Sequence, residues 1–480
     1  MKIDVRKKIL NLAVASAVGV AGLASLPAHA MSVASNGLGQ VLIYPYYTVK
    51  NGFDTVFTVT NTGATTVVAK VRWREALNSR ETRDFNIVLS PFDVWTAAVT
   101  SDASGNGAVV RTYDNTCTSP ALPTSTTAAG SREVAFTSIA YDGTDASFPN
   151  DKASTALSRV REGYFEVISM GQFISEASAV PTAAKHGATG VPANCTTVAN
   201  STAVHYNGPD LAANTADDLI AAPGNVLKGS VSFINVASGQ AVDAPVTAIA
   251  GFSDGQQIWD LPGNVNPDLA DGDAAEAANY IDDDVAYADA GTQTSAESIT
   301  IALMADTVIN EYAADGVGSM TDWVLTFPTK HHYTDVAAVI APFTDRFPDN
   351  GTACETVGFT LYNREEGTVT PSGNQFSPAP TGSSVQLCYE ANVLTFNGSS
   401  VFGDGTNRLN VSTSGVGSAG WLALTMTGAG AGVGAGADAV TVGGAGLPVI
   451  GFAALIRNNS ADAGNNRNYG STVEHAYVRN

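Results

Sequence analysis

Hydrophobic and polar residues alternate along most of this chain with a period of two. The clearest run is Val67 to Arg74, where Val67, Ala69, Val71 and Trp73 fall on one face and Val68, Lys70, Arg72 and Arg74 on the other. That is the period of a strand with two distinct faces. Similar runs lie at Val41–Val49, Asp54–Thr60, Phe85–Leu89 and Val94–Val99, with turn residues between them at Asn51-Gly52, Asn61-Thr62-Gly63 and Ser90-Pro91. Further strands are expected at 134–140, 163–170, 230–236 and 246–252, then at 323–327, 356–362, 385–396, 420–427, 447–456 and 471–478. Short strands at about ten-residue spacing predict a mainly β protein of immunoglobulin-like β-sandwiches joined by long loops. The Cys…Trp…Cys pin of antibody domains is absent.

One segment carries a helical period instead. Thr294-Ser-Ala-Glu297 has capping-box spacing, and Ile299, Ala302, Leu303, Val308, Ile309 and Tyr312 follow at three- and four-residue steps. This predicts one amphipathic helix near 295–314, with Asp306 and Glu311 outward and a stop at Asp315-Gly316.

The run Val41–Val49 contains Pro45, which has no N–H for a ladder, so it reads as an edge or bulged strand. Lys50-Asn51-Gly52 would turn it back as a hairpin onto Asp54–Thr60. With no charge before Lys50, an edge bearing Tyr44, Tyr46 and Tyr47 is a candidate surface for assembly or strand addition.

The first thirty residues do not read as fold. Lys2, Arg6, Lys7 and Lys8 precede an apolar stretch from Ile9 to Leu26, and Ala28-His29-Ala30 is a small-residue cleavage site. Residues 1–30 therefore read as a secretory signal peptide, which places the chain outside the cytoplasm, in the periplasm, at the cell surface or secreted. No later stretch is long and apolar enough to span a bilayer as a helix. The remainder divides into an N-terminal sandwich over 31–175, a loop-rich insertion over 176–320 and a C-terminal β region over 321–480, which could share one sandwich with the first.

Charge narrows the partners. The formal net charge is −21, and it becomes −24 once the leader's four cations and Asp4 are set aside. Such a chain repels nucleic acid and anionic lipid. Cys117, Cys195, Cys354 and Cys388 are an even set in an exported chain, and local loop closure favours Cys117–Cys195 and Cys354–Cys388.

Candidate chemistry is sparse. The stretch 264–291 is the most acidic, and it reads first as a solvated loop; its functional alternative is a Ca²⁺ site built from Asp271, Asp273, Asp282, Asp283 and Asp284. His331-His332 follows a strand, and as neighbours on an extended chain they would face opposite ways, so they read as a polar loop. Glu365-Glu366 reads as a turn. Exposed aromatics such as Trp259 are candidate glycan contacts. No nucleophile elbow, HExxH or P-loop motif occurs.

Several phrases, "LIYPYYTV", "DFNIVLSPFDVWTA", "REGYFEVISMG", "GSVSFINVASG", "TDWVLTFPTK", "LCYEANVLTF" and "GLPVIGFAA", together resemble a family of exported proteobacterial cell-surface proteins. The resemblance implies secretion and surface association and brings no activity or catalytic residue. The reading is an exported, non-catalytic structural or binding protein whose partners are surface proteins, glycans or copies of itself. The alternative is an extracellular hydrolase acting on polysaccharide or peptide.

Overall fold

The alternation at Val67–Arg74 is the alternation of the fold. In a computed structural model, Val67, Ala69, Val71 and Trp73 enter a core that also holds Phe57, Trp95, Phe165 and Phe233. The structure describes residues 31–204, 220–221, 223–253, 258–272, 276–281, 285–290, 294–314, 318–369, 376–377, 385–428, 432–433, 440–441, 446–458 and 468–479. The expected leader, Asp273 and Asp282–Asp284 lie outside these residues.

Two antiparallel sheets enclose that core. The first orders Ser32–Val33, Thr247–Ala250, Val41–Thr48, Glu162–Phe173, Val67–Glu75, Glu81–Leu89 and Cys117–Ser119. The second orders Gln240–Ala244, Leu227–Asn235, Asp54–Asn61, Val94–Ser101, Ala108–Thr112 and Arg132–Ala135. A third sheet runs Thr368–Val369, Glu355–Asn363, Ala419–Met426, Thr307–Ala313 and Ala476–Val478, with Val385–Leu387 also pairing with Glu355–Asn363. The fourth runs Phe376–Ser377, Arg408–Val411, Ala391–Phe396, Ser319–Thr326, Ile450–Asn458 and Asn468–Glu474. The chain is mainly β, as expected.

The fourth sheet joins the two halves. Its Trp323, Leu325, Leu394 and Leu455 pack into a second core with Val308, Phe359 and Leu424 of the third sheet. Its opposite face puts Val324, Val393, Phe452, Ala454 and Ile456 into the first core. Burial on both faces requires strands with apolar residues on both, as in the fully buried run Ala391–Phe396. Strands from 176–320 serve both halves rather than standing apart: 227–250 completes the first two sheets and 307–313 lies in the third. Cys117 is bonded to Cys195 and Cys354 to Cys388.

Three local expectations are corrected. The turn at Lys50–Gly52 forms, with Asn51 and Gly52 both at positive φ, but its flanking strands enter different sheets, so it is a corner and not a hairpin. Val41–Thr48 does carry a bulge, between Gly163 and Phe165 of its neighbour, yet it is not a free edge. Pairing with Thr247–Ala250 stops at Ile43, and beyond it the Pro45 carbonyl accepts from Thr326 Oγ1 of the C-terminal half at 2.6 Å. Tyr44, Tyr46 and Tyr47 are fully buried, so these side chains cannot form the proposed assembly surface.

The helix is shorter than its apolar pattern. It spans Ser295–Leu303 and begins with the expected capping box of Thr294 and Glu297. Thr307–Ala313 is a strand that buries Val308, Asn310 and Tyr312. Val308 and Tyr312 are four apart, which suits a helix face and a strand face equally. The β-branched run Thr307-Val308-Ile309 and the partners on both sides decide for the strand.

Candidate metal centre

The polar face of Val67–Glu75 is not left to solvent. Lys70, Arg72 and Arg74 are buried beneath the segment 258–272. A buried cation requires compensation, and each has a carboxylate: Asp84 lies 3.3 Å from Lys70, Glu81 2.8 Å from Arg72, and Glu166 2.9 Å from Arg74. The cations also grip the covering segment. Lys70 donates to the carbonyls of Leu261, Asn264 and Asn266, and Arg72 donates to that of Pro267.

These grips present Asp268. Its Oδ1 accepts from Ala270 N at 2.7 Å, and its own N–H donates to Asp271 Oδ2 at 2.7 Å. Asp271 thus spends one carboxylate oxygen on shaping the turn. Arg74 Nη2 lies 3.8 Å from Asp268 Oδ2.

His331 and His332 approach from the other half. Strand Ser319–Thr326 ends before Pro328, and the chain enters a short helical turn, His331–Thr334. Tyr164 of the first sheet donates to the Pro328 carbonyl at 3.2 Å, and Tyr333 donates to Thr300 Oγ1 at 2.9 Å, so both halves hold the turn. Lys330 points away, donating to Ala353 O at 2.6 Å.

The expectation that His331 and His332 diverge is therefore overturned. Successive side chains on a helical turn are only about 100° apart. Their ring centroids lie 4.0 Å apart. One donor atom from each of Asp268, His331 and His332 falls within 4.8 Å of the others. Both histidines are half-buried, but Nδ1 and Nε2 of His331 and Nε2 of His332 are sealed from water with no hydrogen-bond partner among the described residues.

Burial, with His332 and the arginines nearby, holds the His331 imidazolium well below its usual range. Burial likewise lowers His332 to about 4, although Asp268 opposes it. Burial raises the Asp268 carboxyl, but His332 and Arg74 outweigh it and the net shift is downward. The arrangement is two neutral imidazoles facing a carboxylate, a donor set suited to transition metals. Asp268 carried no sequence signal beyond its turn-like Asn-Pro-Asp setting. The adjacent histidines were visible, but reading them as extended hid their convergence.

The other candidates scatter. Glu365 lies in the expected turn. Trp259 is partly buried against the apolar cluster that includes Val68, Val88 and Met170. On the outer face of the second sheet, an open groove of about 380 Å³ is lined by Asp54, Val56, Thr96, Thr100, Arg111 and Tyr113, among others. Tyr113 is 66% exposed there, which leaves its ring free for contact. Comparison with family models, curated proteins and solved structures finds no match.

Proposed function

We propose that this chain is an exported, non-catalytic binding protein that presents the groove on its second sheet to a carbohydrate. The observation that carries the reading is the groove itself. An exposed tyrosine ring, three threonines, two aspartates and an arginine surround an apolar floor of Val56, Ala97 and Ala98. Apolar surface with a few placed polar groups is the usual composition of a small-molecule site. The sides of the groove are tied together: Thr112 Oγ1 donates to Thr96 O at 2.6 Å and Asp114 accepts from Thr96 N at 3.0 Å.

Two disulfides support an oxidising compartment, in keeping with the leader-like first thirty residues. Among the described residues no helix is long and apolar enough to cross a membrane. The resemblance to exported surface proteins agrees with a place at the cell envelope.

The test is a panel of cell-surface polysaccharides presented to the mature protein, followed by titration calorimetry. Binding should weaken more than tenfold in Tyr113→Ala while the melting temperature holds. If no glycan binds the parent, or Tyr113→Ala binds equally well, the reading fails.

A further inference from the structure

We propose that Asp268, His331 and His332 bind one divalent transition-metal ion of the Zn²⁺ kind, at the seam between the two halves of the molecule. The site is independent of the groove on the second sheet.

The donors come from different halves. Asp268 belongs to the segment pinned over the first sheet by Lys70 and Arg72, whereas the histidines follow a strand of the fourth sheet. Metal–nitrogen and metal–oxygen bonds of roughly 2.0–2.2 Å place tetrahedral donors some 3.3–3.6 Å apart. A set already within 4.8 Å reaches that spacing by small rotations of the two rings and the carboxylate.

The ring nitrogens supply the second observation. A neutral imidazole has one N–H to donate and one lone pair to offer. His331 has neither answered among the described residues, and its two nitrogens are sealed from water. Buried polar atoms without partners call for an occupant. A metal ion takes the lone pair of each ring.

Charge gives the third. Lys70, Arg72 and Arg74 each have a closer carboxylate than Asp268, and one Asp268 oxygen lies within 4.8 Å of a nitrogen of each ring. Arg74, 3.8 Å away and already paired to Glu166, sits where it can orient that carboxylate. Imidazole nitrogen selects Zn²⁺, Co²⁺ or Ni²⁺ over Ca²⁺, which prefers an all-oxygen shell. Three protein donors leave a fourth position for water or a ligand. Asp271 is a positioning residue, since its carboxylate accepts from the Asp268 N–H and sets the turn.

The experiment uses the mature chain without a histidine tag, stripped with chelator and titrated with Zn²⁺ and Co²⁺ by calorimetry. One ion should bind per chain, and excess Ca²⁺ should not displace it. Asp268→Asn and His332→Gln should each weaken binding more than tenfold. X-ray absorption at the zinc edge of the unmodified protein should show two imidazoles in the shell, a readout that needs no variant to fold. A shell without imidazole, no stoichiometric binding, or unchanged affinity in both variants would overturn the proposal.

Discussion

Arg408 Nη1 donates to Glu162 Oε2 at 2.9 Å, closing an ion pair between residues 246 positions apart. Glu162 also takes Lys50 and the Tyr46 hydroxyl, so one buried carboxylate ties the first sheet to the fourth. Burial alone would raise its pKa, but Arg408 and Lys50 prevail and hold it at about 2. Glu162→Gln should therefore destabilise the chain by about 3 kcal/mol, because it leaves two partly buried cations without their carboxylate. Denaturant unfolding of Glu162→Gln, Arg408→Gln and the double variant checks this. A double variant no less stable than the worse single would establish the coupling, and strict additivity would refute it.

The same carboxylate sets an acid limit. Its folded pKa of about 2 lies below the reference 4.5, so its contribution is complete above pH 4.5 and is lost as pH falls from there toward 2. The loss should be on the order of 3 kcal/mol. Unfolding free energies of parent and Glu162→Gln should converge over this window, and parallel curves would exclude it.

His475 acts one window higher. It is buried, its Nε2 lies 3.0 Å from the Val324 carbonyl, and its Nδ1 is 2.8 Å from Asn310 Nδ2. Those partners require Nε2–H to donate and Nδ1 to accept, which is the neutral ring. Burial lowers its pKa to about 4. The unfolded chain therefore binds the proton more readily between about pH 6.5 and 4, and stability falls as pH drops through that range. The parent should lose on the order of 3 kcal/mol more than His475→Asn across it. Equal slopes in the two proteins would count against a buried neutral ring.

Reduction should act unequally on the two cross-links. Cys117–Cys195 spans 78 residues and Cys354–Cys388 spans 34. The chain-entropy model gives about 4.5 and about 3.8 kcal/mol respectively. Removing Cys117 and Cys195 by paired Ser substitution should cost more, read from urea midpoints. The reverse order would mean that the smaller loop carries stability by native contacts.

The helix cap offers a small, clean test. Thr294 Oγ1 accepts from Glu297 N at 3.3 Å, and Thr294 N donates to Glu297 Oε2 at 2.7 Å. Thr294→Ala should cost about 1 kcal/mol without changing the denaturant slope. A change below a few tenths would show that packing of Ile299 and Leu303 alone holds the helix.

Sequence alone determined what depends on neighbours along the chain. Period-two runs located most strands, the Thr294 cap located the helix start, and local loop closure singled out the two bonded cysteine pairs. Where periods coincide, as at Val308 and Tyr312, local pattern could not choose between helix and strand; cross-strand partners at 419–426 and 476–478 chose. Lys70, Arg72 and Arg74 read as one polar face, but only the fold showed a segment from 258–272 closing over the charges. The tyrosines of Val41–Thr48 are covered by long-range packing: Tyr44 lies against Phe57 and Phe165, Tyr47 against Phe136, and Tyr46 against Phe233 and against Phe402 of the C-terminal half. Tertiary structure likewise assembled Asp268, His331 and His332, since convergence of side chains from two halves depends on long-range packing that no local spacing encodes.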